Sequence, residues 1–188
     1  LHTGNLTGEF VFDCVETEPV ASVLYQRHLA LAGKARMAEF AGYMMPLWYS
    51  SVSSEHNVVR TAAGLFDCTH MGVLEVSGKD AGAFLEFVTT NRIDNLSVGR
   101  ARYSYILDAA GNVLDDIIVY RRSEDKFMVV VNAANEPKIK AYIRVVVAGE
   151  IVIDAENPDR KCGYKPHIRD MRDTSGGDDC RVDIALQG

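Results

Sequence analysis

Among the side chains able to do chemistry, the adjacent carboxylates Asp115 and Asp116 stand out because they interrupt an apolar run, Val113-Leu114-Asp115-Asp116-Ile117-Ile118-Val119-Tyr120. A strand sends successive side chains to opposite faces. Val113, Asp115, Ile117 and Val119 therefore share one face, and Leu114, Asp116, Ile118 and Tyr120 share the other. Both faces are mainly apolar, which predicts a strand covered on both sides. A carboxylate on either face then loses water at a considerable cost unless partners offset it. For Asp115 a structural reading is available, as a cap on the preceding Gly111-Asn112 turn at a frayed strand start. Asp116 lies one residue deeper. A carboxylate followed on its own face by Ile118 and Tyr120 has the make-up of a ligand floor, with an acid for an amine edge and apolar surface for a flat ring. Spacing by itself leaves both readings open.

The remaining reactive residue types are less organised. His70 and Met71 lie in the loop Asp67-Cys68-Thr69-His70-Met71-Gly72, where a lone histidine suits structural hydrogen bonding better than catalysis. Cys68 has no evident activating base, and the chain carries no Ser/His/Asp order and no glycine-rich phosphate cradle. Cys14, Cys68, Cys162 and Cys180 are scattered without paired spacing, which reads as reduced thiols. Cys162, His167 and Cys180 fit none of the usual zinc frameworks, so no metal is expected.

The elements that must position these groups follow from periodicity. Ser22 predicts the cap of a helix with Leu24, Tyr25, His28 and Leu31 on one face and Gly33 as its stop. The aromatic and Met-rich residues 35–50 read as a packed loop. Ser53 or Ser54 opens a second helix, Ser77 and Asp80 make a capping-box-like start, and Ala81, Phe84, Leu85 and Val88 form the stripe that follows. Three strand-like runs, Ala101–Leu107, Val113–Tyr120 and Phe127–Asn132, are joined by short polar turns and predict an antiparallel meander. Asn135 then caps a helix with Pro137 in its first turn and a buried stripe of Ile139, Tyr142, Ile143 and Val146. Helices among antiparallel strands predict an α+β fold, antiparallel sheets with packed helices.

The expected organisation is an N-terminal extension over residues 1–19, a main region over 20–153, an insertion or flexible loop over 154–181, and a strand over 182–188 that leads into further chain. With 188 residues, 47% hydrophobic and 24% charged, the chain can bury a real core. A formal charge of −6 without a basic tract gives no reason to expect nucleic-acid binding. No apolar run is long enough to predict a membrane span, and the first residues lack the pattern of a signal peptide.

Several ordered segments resemble one family, the aminomethyltransferases typified by the T-protein of the glycine cleavage system. They are Phe40-Ala41-Gly42-Tyr43 through Met45-Pro46, Gly64-Leu65-Phe66-Asp67 with His70-Met71-Gly72, and Thr89-Thr90-Asn91. Tyr103-Ser104, Gly111 through Tyr120, and Val131-Asn132-Ala133-Ala134-Asn135 follow, with Ile184 through Gly188 at the end. The likeness covers about residues 22–150 and the last strand. It implies a folate-binding fold and tetrahydrofolate as cosubstrate, with lipoylated H-protein as partner. The reaction implied moves a methylene carbon from an aminomethyl group to the folate and releases ammonia. In the family the second Asp of the pair is the main catalytic carboxylate, here Asp116. Family folate contacts fall on Met71, Tyr103, Asp116, Ile118, Tyr120 and Asn132. A cytoplasmic location is implied, or the mitochondrial matrix in a eukaryote. Cys68, Thr69 and Asn112 depart from the usual pattern, residues 154–181 do not align, and the chain covers about half of a typical member. Folate domains of sarcosine or dimethylglycine dehydrogenase type and related demethylases share the same features. Non-catalytic iron–sulfur assembly factors do too, but with a Lys-Gly-Cys-Tyr motif whose composition, not order, recurs in Lys161-Cys162-Gly163-Tyr164.

Overall fold

The computed structural model describes residues 8–13 and 17–188 and contains two units, Glu16–Met71 with Arg181–Gly188, and residues 8–13 with Gly72–Cys180. The first holds β1 (Val20–Ala21), α1 (Tyr25–Ala32), β2 (Met37–Phe40), β3 (Tyr43–Pro46), α2 (Val52–Thr61) and β4 (Gly64–Asp67). Strand β3 pairs with β1 in parallel and with β2 antiparallel, and the terminal strand Ile184–Gln187 pairs antiparallel with β4. The loop expected over residues 35–50 is thus a hairpin. Its two central residues, Ala41 and Gly42, both have positive φ, 49° and 79°, the twist that a two-residue turn needs to bring the strands back together.

The helix starts also differ from expectation. The N-cap position of α1 is Leu24. The Ser22 hydroxyl accepts the Leu24 N–H at 3.3 Å and itself donates to Asp67 Oδ2 at 3.2 Å. The buried face of α1 is His28 and Ala32, while Leu31 is 71% exposed. Tertiary contacts, not the apolar pattern, chose this face. Ser51 caps α2, its hydroxyl accepting the Ser54 N–H at 3.2 Å.

A polar chain fastens α1 inside this unit. His28 Nε2 lies 2.5 Å from Asp67 Oδ2, and His28 Nδ1 lies 2.7 Å from the Tyr49 hydroxyl. The Thr69 N–H donates to Asp67 Oδ1 at 2.7 Å. Burial pushes the Asp67 carboxyl up, but the hydrogen bonds from His28 and Thr69 outweigh it and hold the group below its ordinary 3.8. Burial, then the charges of Asp67 and Glu55, raise the Tyr49 phenol.

The second unit contains β5 (Gly72–Ser77), α3 (Ala81–Val88), β6 (Ala101–Leu107), β7 (Val113–Arg121), β8 (Lys126–Val131), α4 (Glu136–Ala148) and β9 (His167–Asp170). The sheet order is β6-β7-β8-β5-β9, with every neighbouring pair antiparallel. The predicted meander and the α+β class are both present. Phe84, Leu85 and Val88 of α3 and Ile139, Tyr142, Ile143 and Val146 of α4 bury against Leu74, Val76, Ile106, Ile117, Val119, Phe127, Val129 and Val131. Gly149, at φ 72°, closes α4. The capping box is absent: Asp80 makes no side-chain cap, and its Oδ2 accepts the Lys165 N–H at 3.0 Å instead.

Most of the two stretches read as irregular belongs to this unit. Within 8–13, the Phe10 ring meets Tyr142 edge-on at 5.0 Å and Gly8 O accepts the Val152 N–H at 2.7 Å. The remainder of the expected extension includes residues 1–7 and 14–16, which lie outside the described residues. Within 154–181, His167–Asp170 adds a strand to the edge of the sheet, so this stretch is not wholly a loop. Its short, polar sequence gave no apolar period to detect. Among the described residues no helix is long and apolar enough to cross a membrane.

Replacing Phe84, which is fully buried, with Ala is expected to cost about 3–5 kcal/mol in urea unfolding. The Asp67 contribution to stability is complete above 3.8 and fades as pH falls through its lowered folded value. The stability gap between the parent chain and Asp67→Asn should therefore narrow from neutral pH to about pH 3. A constant gap would show that the carboxylate charge contributes nothing.

Candidate functional site

The pairing of β6 with β7 explains how one strand presents two different carboxylates. Ile106 faces Asp115, but Leu107 faces Val113, so Leu114 is an extra residue immediately before the pair. Leu114 packs on the core, although strict alternation would send it to the face of Asp116. A bulge of this kind bends the strand and re-aims the side chains after it.

Beyond the bulge the alternation is regular. Asp115, Ile117 and Val119 are 2%, 1% and 0% exposed, whereas Asp116, Ile118 and Tyr120 are half-buried. The expectation that both faces are covered holds in part: Val73 and Val130, on the face of Ile118, are 0% and 8% exposed. The helices α3 and α4 pack on the face of Asp115, and Asp115, not Asp116, is the deeply buried carboxylate. The turn-cap reading of Asp115 also gives way: Asp108 holds the turn, accepting the N–H groups of Ala110 and Asn112 at 2.9 and 2.8 Å.

Asp116 sits among polar and aromatic groups. The Tyr103 hydroxyl donates to its Oδ2 at 2.6 Å, and Asn132 Nδ2 donates to its Oδ1 at 2.9 Å. Register places Tyr103 opposite Ile118, Tyr105 opposite Asp116, and Val130 opposite Ile118. The Tyr103 and Tyr105 rings meet edge-on at 5.4 Å and remain 49% and 40% exposed. The Asp116 carboxylate, then the Tyr105 hydroxyl, push the Tyr103 phenol well above its ordinary value. Among the described residues no Lys or Arg forms an ion pair with Asp116. Its charge is held by neutral donors and remains available to an incoming N–H group or to developing positive charge.

Five of the six sequence-predicted site residues thus come together, Asp116, Tyr103, Ile118 and Tyr120 in one sheet and Asn132 just after its strand β8. Met71 belongs to the other unit, where its N–H donates to Cys68 O at 2.9 Å beside His70, whose ring meets Phe40 edge-on. Tyr105 was missed, and Asp115 was noticed without its partners. The two-residue spacing of Tyr103 and Tyr105 hinted at the first, but only the β6–β7 register shows which residues they face. The floor is open. Cavities of about 460 Å³ beside Lys140, Arg144 and Asp170, and of about 410 Å³ beside Phe87, Arg121 and Arg160, contain none of the predicted site residues. Cys162 packs against the core with its thiol directed to Tyr164 O at 3.6 Å. Among the described residues no cluster of three His, Cys, Asp or Glu side chains is placed to hold a metal.

Residues 24–162 match the model of the GCVT N-terminal domain. An aminomethyltransferase of Thermus thermophilus is 48% identical over 126 residues, covering 67% of this chain and 36% of that protein. One from Saccharopolyspora erythraea is 46% identical over 132 residues, covering 70% of this chain and 35% of that protein. The crystal structure of the glycine cleavage system aminomethyltransferase T from Bartonella henselae superposes with a TM-score of 0.72 at 32% identity, covering 90% of this chain and 40% of that one. The matched region thus covers 35–40% of the length of these relatives.

Tyrosine ¹³Cζ resonances followed against pH test the hydrogen bond at the site. Asp116→Asn is expected to lower the Tyr103 phenol toward 10.0; an unmoved titration would mean that the hydroxyl donates elsewhere.

Proposed function

The chain belongs to the GCVT N-terminal domain family, and from that premise we propose that it supplies folate-binding and catalytic groups to an aminomethyltransferase of the glycine cleavage system. The reaction is transfer of the methylene carbon of H-protein-bound aminomethyl-lipoate to tetrahydrofolate, with release of ammonia. The observation that carries this reading is Asp116, a half-buried carboxylate with a phenol on one oxygen and an amide on the other.

The residues fit such a cosubstrate. A reduced pterin offers a flat ring and N–H donors, and the face offers the side chains of Ile118 and Tyr120, the Tyr103–Tyr105 pair, and carboxylate lone pairs. Tetrahydrofolate supplies the amines that accept the one-carbon unit. Asp116 orients those amines and stabilises positive charge at the reacting carbon, and Tyr103 and Asn132 keep it from turning away. Met71 is a further proposed folate contact. Lipoylated H-protein is the proposed partner that delivers the aminomethyl group.

Asp116→Asn keeps the shape and removes the charge. In the full polypeptide, with aminomethylated H-protein as donor, ammonia release should fall about 100-fold or more, while calorimetric binding of tetrahydrofolate changes much less. Near-normal turnover in this variant would refute the assignment.

A further inference from the structure

We propose that Asp115 is a positioning residue, a buried anchor that orients the Asn132 amide so that its NH₂ group holds Asp116 in place. The inference rests on the reading of Asp116 given above. Asp115 is 2% exposed and so is placed to contact no ligand. Among the described residues it forms no ion pair. Instead its oxygens collect three N–H donors. The Asn132 backbone N–H donates to Oδ2 at 3.0 Å, Asn132 Nδ2 to Oδ1 at 3.1 Å, and Asn135 Nδ2 to Oδ1 at 2.6 Å. Such a set satisfies a buried carboxylate without a cation.

The geometry around Asn132 is one-directional. Its Nδ2 lies within 3.1 Å of three oxygens, Asp115 Oδ1, Asp116 Oδ1 and Asp116 O. A carboxylate and a carbonyl only accept, so the amide must present its NH₂ here. The flipped orientation would set oxygen against oxygen at all three contacts. Alternation sends Asp115 and Asp116 to opposite faces of β7, and the Asn132 amide ties the two together at the end of β8. Asn135, just before α4, fixes Asp115 from the helix side. The rigid core thereby reaches an otherwise half-exposed carboxylate through one buried acid.

In Asp115→Asn the new amide offers one acceptor oxygen to three donors. Its NH₂ group opposes the Asn132 backbone N–H in one orientation and the Asn132 and Asn135 amides in the other, so Asn132 meets a donor either way. Asn132 then loses its fixed orientation and Asp116 loses a donor. Asn135→Ala removes one of the three bonds and leaves both carboxylates intact.

The test compares Asp115→Asn, Asn135→Ala and Asp116→Asn in the full polypeptide by steady-state ammonia release, with tetrahydrofolate Kd from calorimetry and folding from circular dichroism. For folded Asp115→Asn, kcat should drop about 10- to 100-fold with Kd held within about threefold. Asn135→Ala should show a smaller drop in kcat with the same split. A parental kcat in folded Asp115→Asn, or a Kd that weakens as much as kcat falls, would overturn the inference while an inactive Asp116→Asn keeps the functional reading. If Asp115→Asn does not fold, an unchanged kcat in Asn135→Ala overturns it. Near-parental activity in Asp116→Asn would instead remove the reading on which it rests.

Discussion

A carboxylate held in a sheet by neutral donors is the interaction on which the rest of the site depends. Asp115 enters the covered side of β7 among Ile117 and Val119, where water is excluded. Desolvation of an unpaired charge there would destabilise the strand severely. Three amide N–H groups, two from Asn132 and one from Asn135, offset that cost. Because the segment between β8 and α4 supplies those donors, the acid can be buried only when the meander and the helix are in register.

The neighbouring carboxylate has the opposite environment for a geometrical reason. A strand has a period of two, so one residue separates a group buried under helices from a half-buried group on the other face. The bulge at Leu114 sets that phase. Without the extra residue the pair would be displaced against β6, and Tyr103 and Tyr105 would face different partners. The phenol of Tyr103 and the amide of Asn132 then hold Asp116 from two sides while leaving lone pairs available.

The other unit uses a comparable device for a different end. His28, Asp67 and Tyr49 form a polar chain that ties α1 to the end of β4 and to the segment before α2. The helix is short and its apolar pattern weak, so specific hydrogen bonds decide its buried face. Here a polar constraint orders local structure, with no claim on the chemistry of the sheet.

The comparison of sequence with structure separates along physical lines. The meander, the stripes of α3 and α4 and the α+β class were legible because apolar periodicity is local and repeated over many residues. Asp116 was legible as an acid in an apolar run, and its face-mates Ile118 and Tyr120 follow from alternation along one strand. The hairpin over 37–46 was not legible, because its turn depends on positive φ at Ala41, a residue that rarely adopts it. Strand β9 was hidden by a polar sequence at the sheet edge.

The sequence by itself determined which elements exist and that one strand carries two adjacent acids. Only the tertiary structure decided which acid is buried, which is presented, and that Tyr105 and Asn135 belong to the same network. Register, bulges and cross-strand hydrogen bonds join residues far apart in the chain, and those distances have no signature in local spacing.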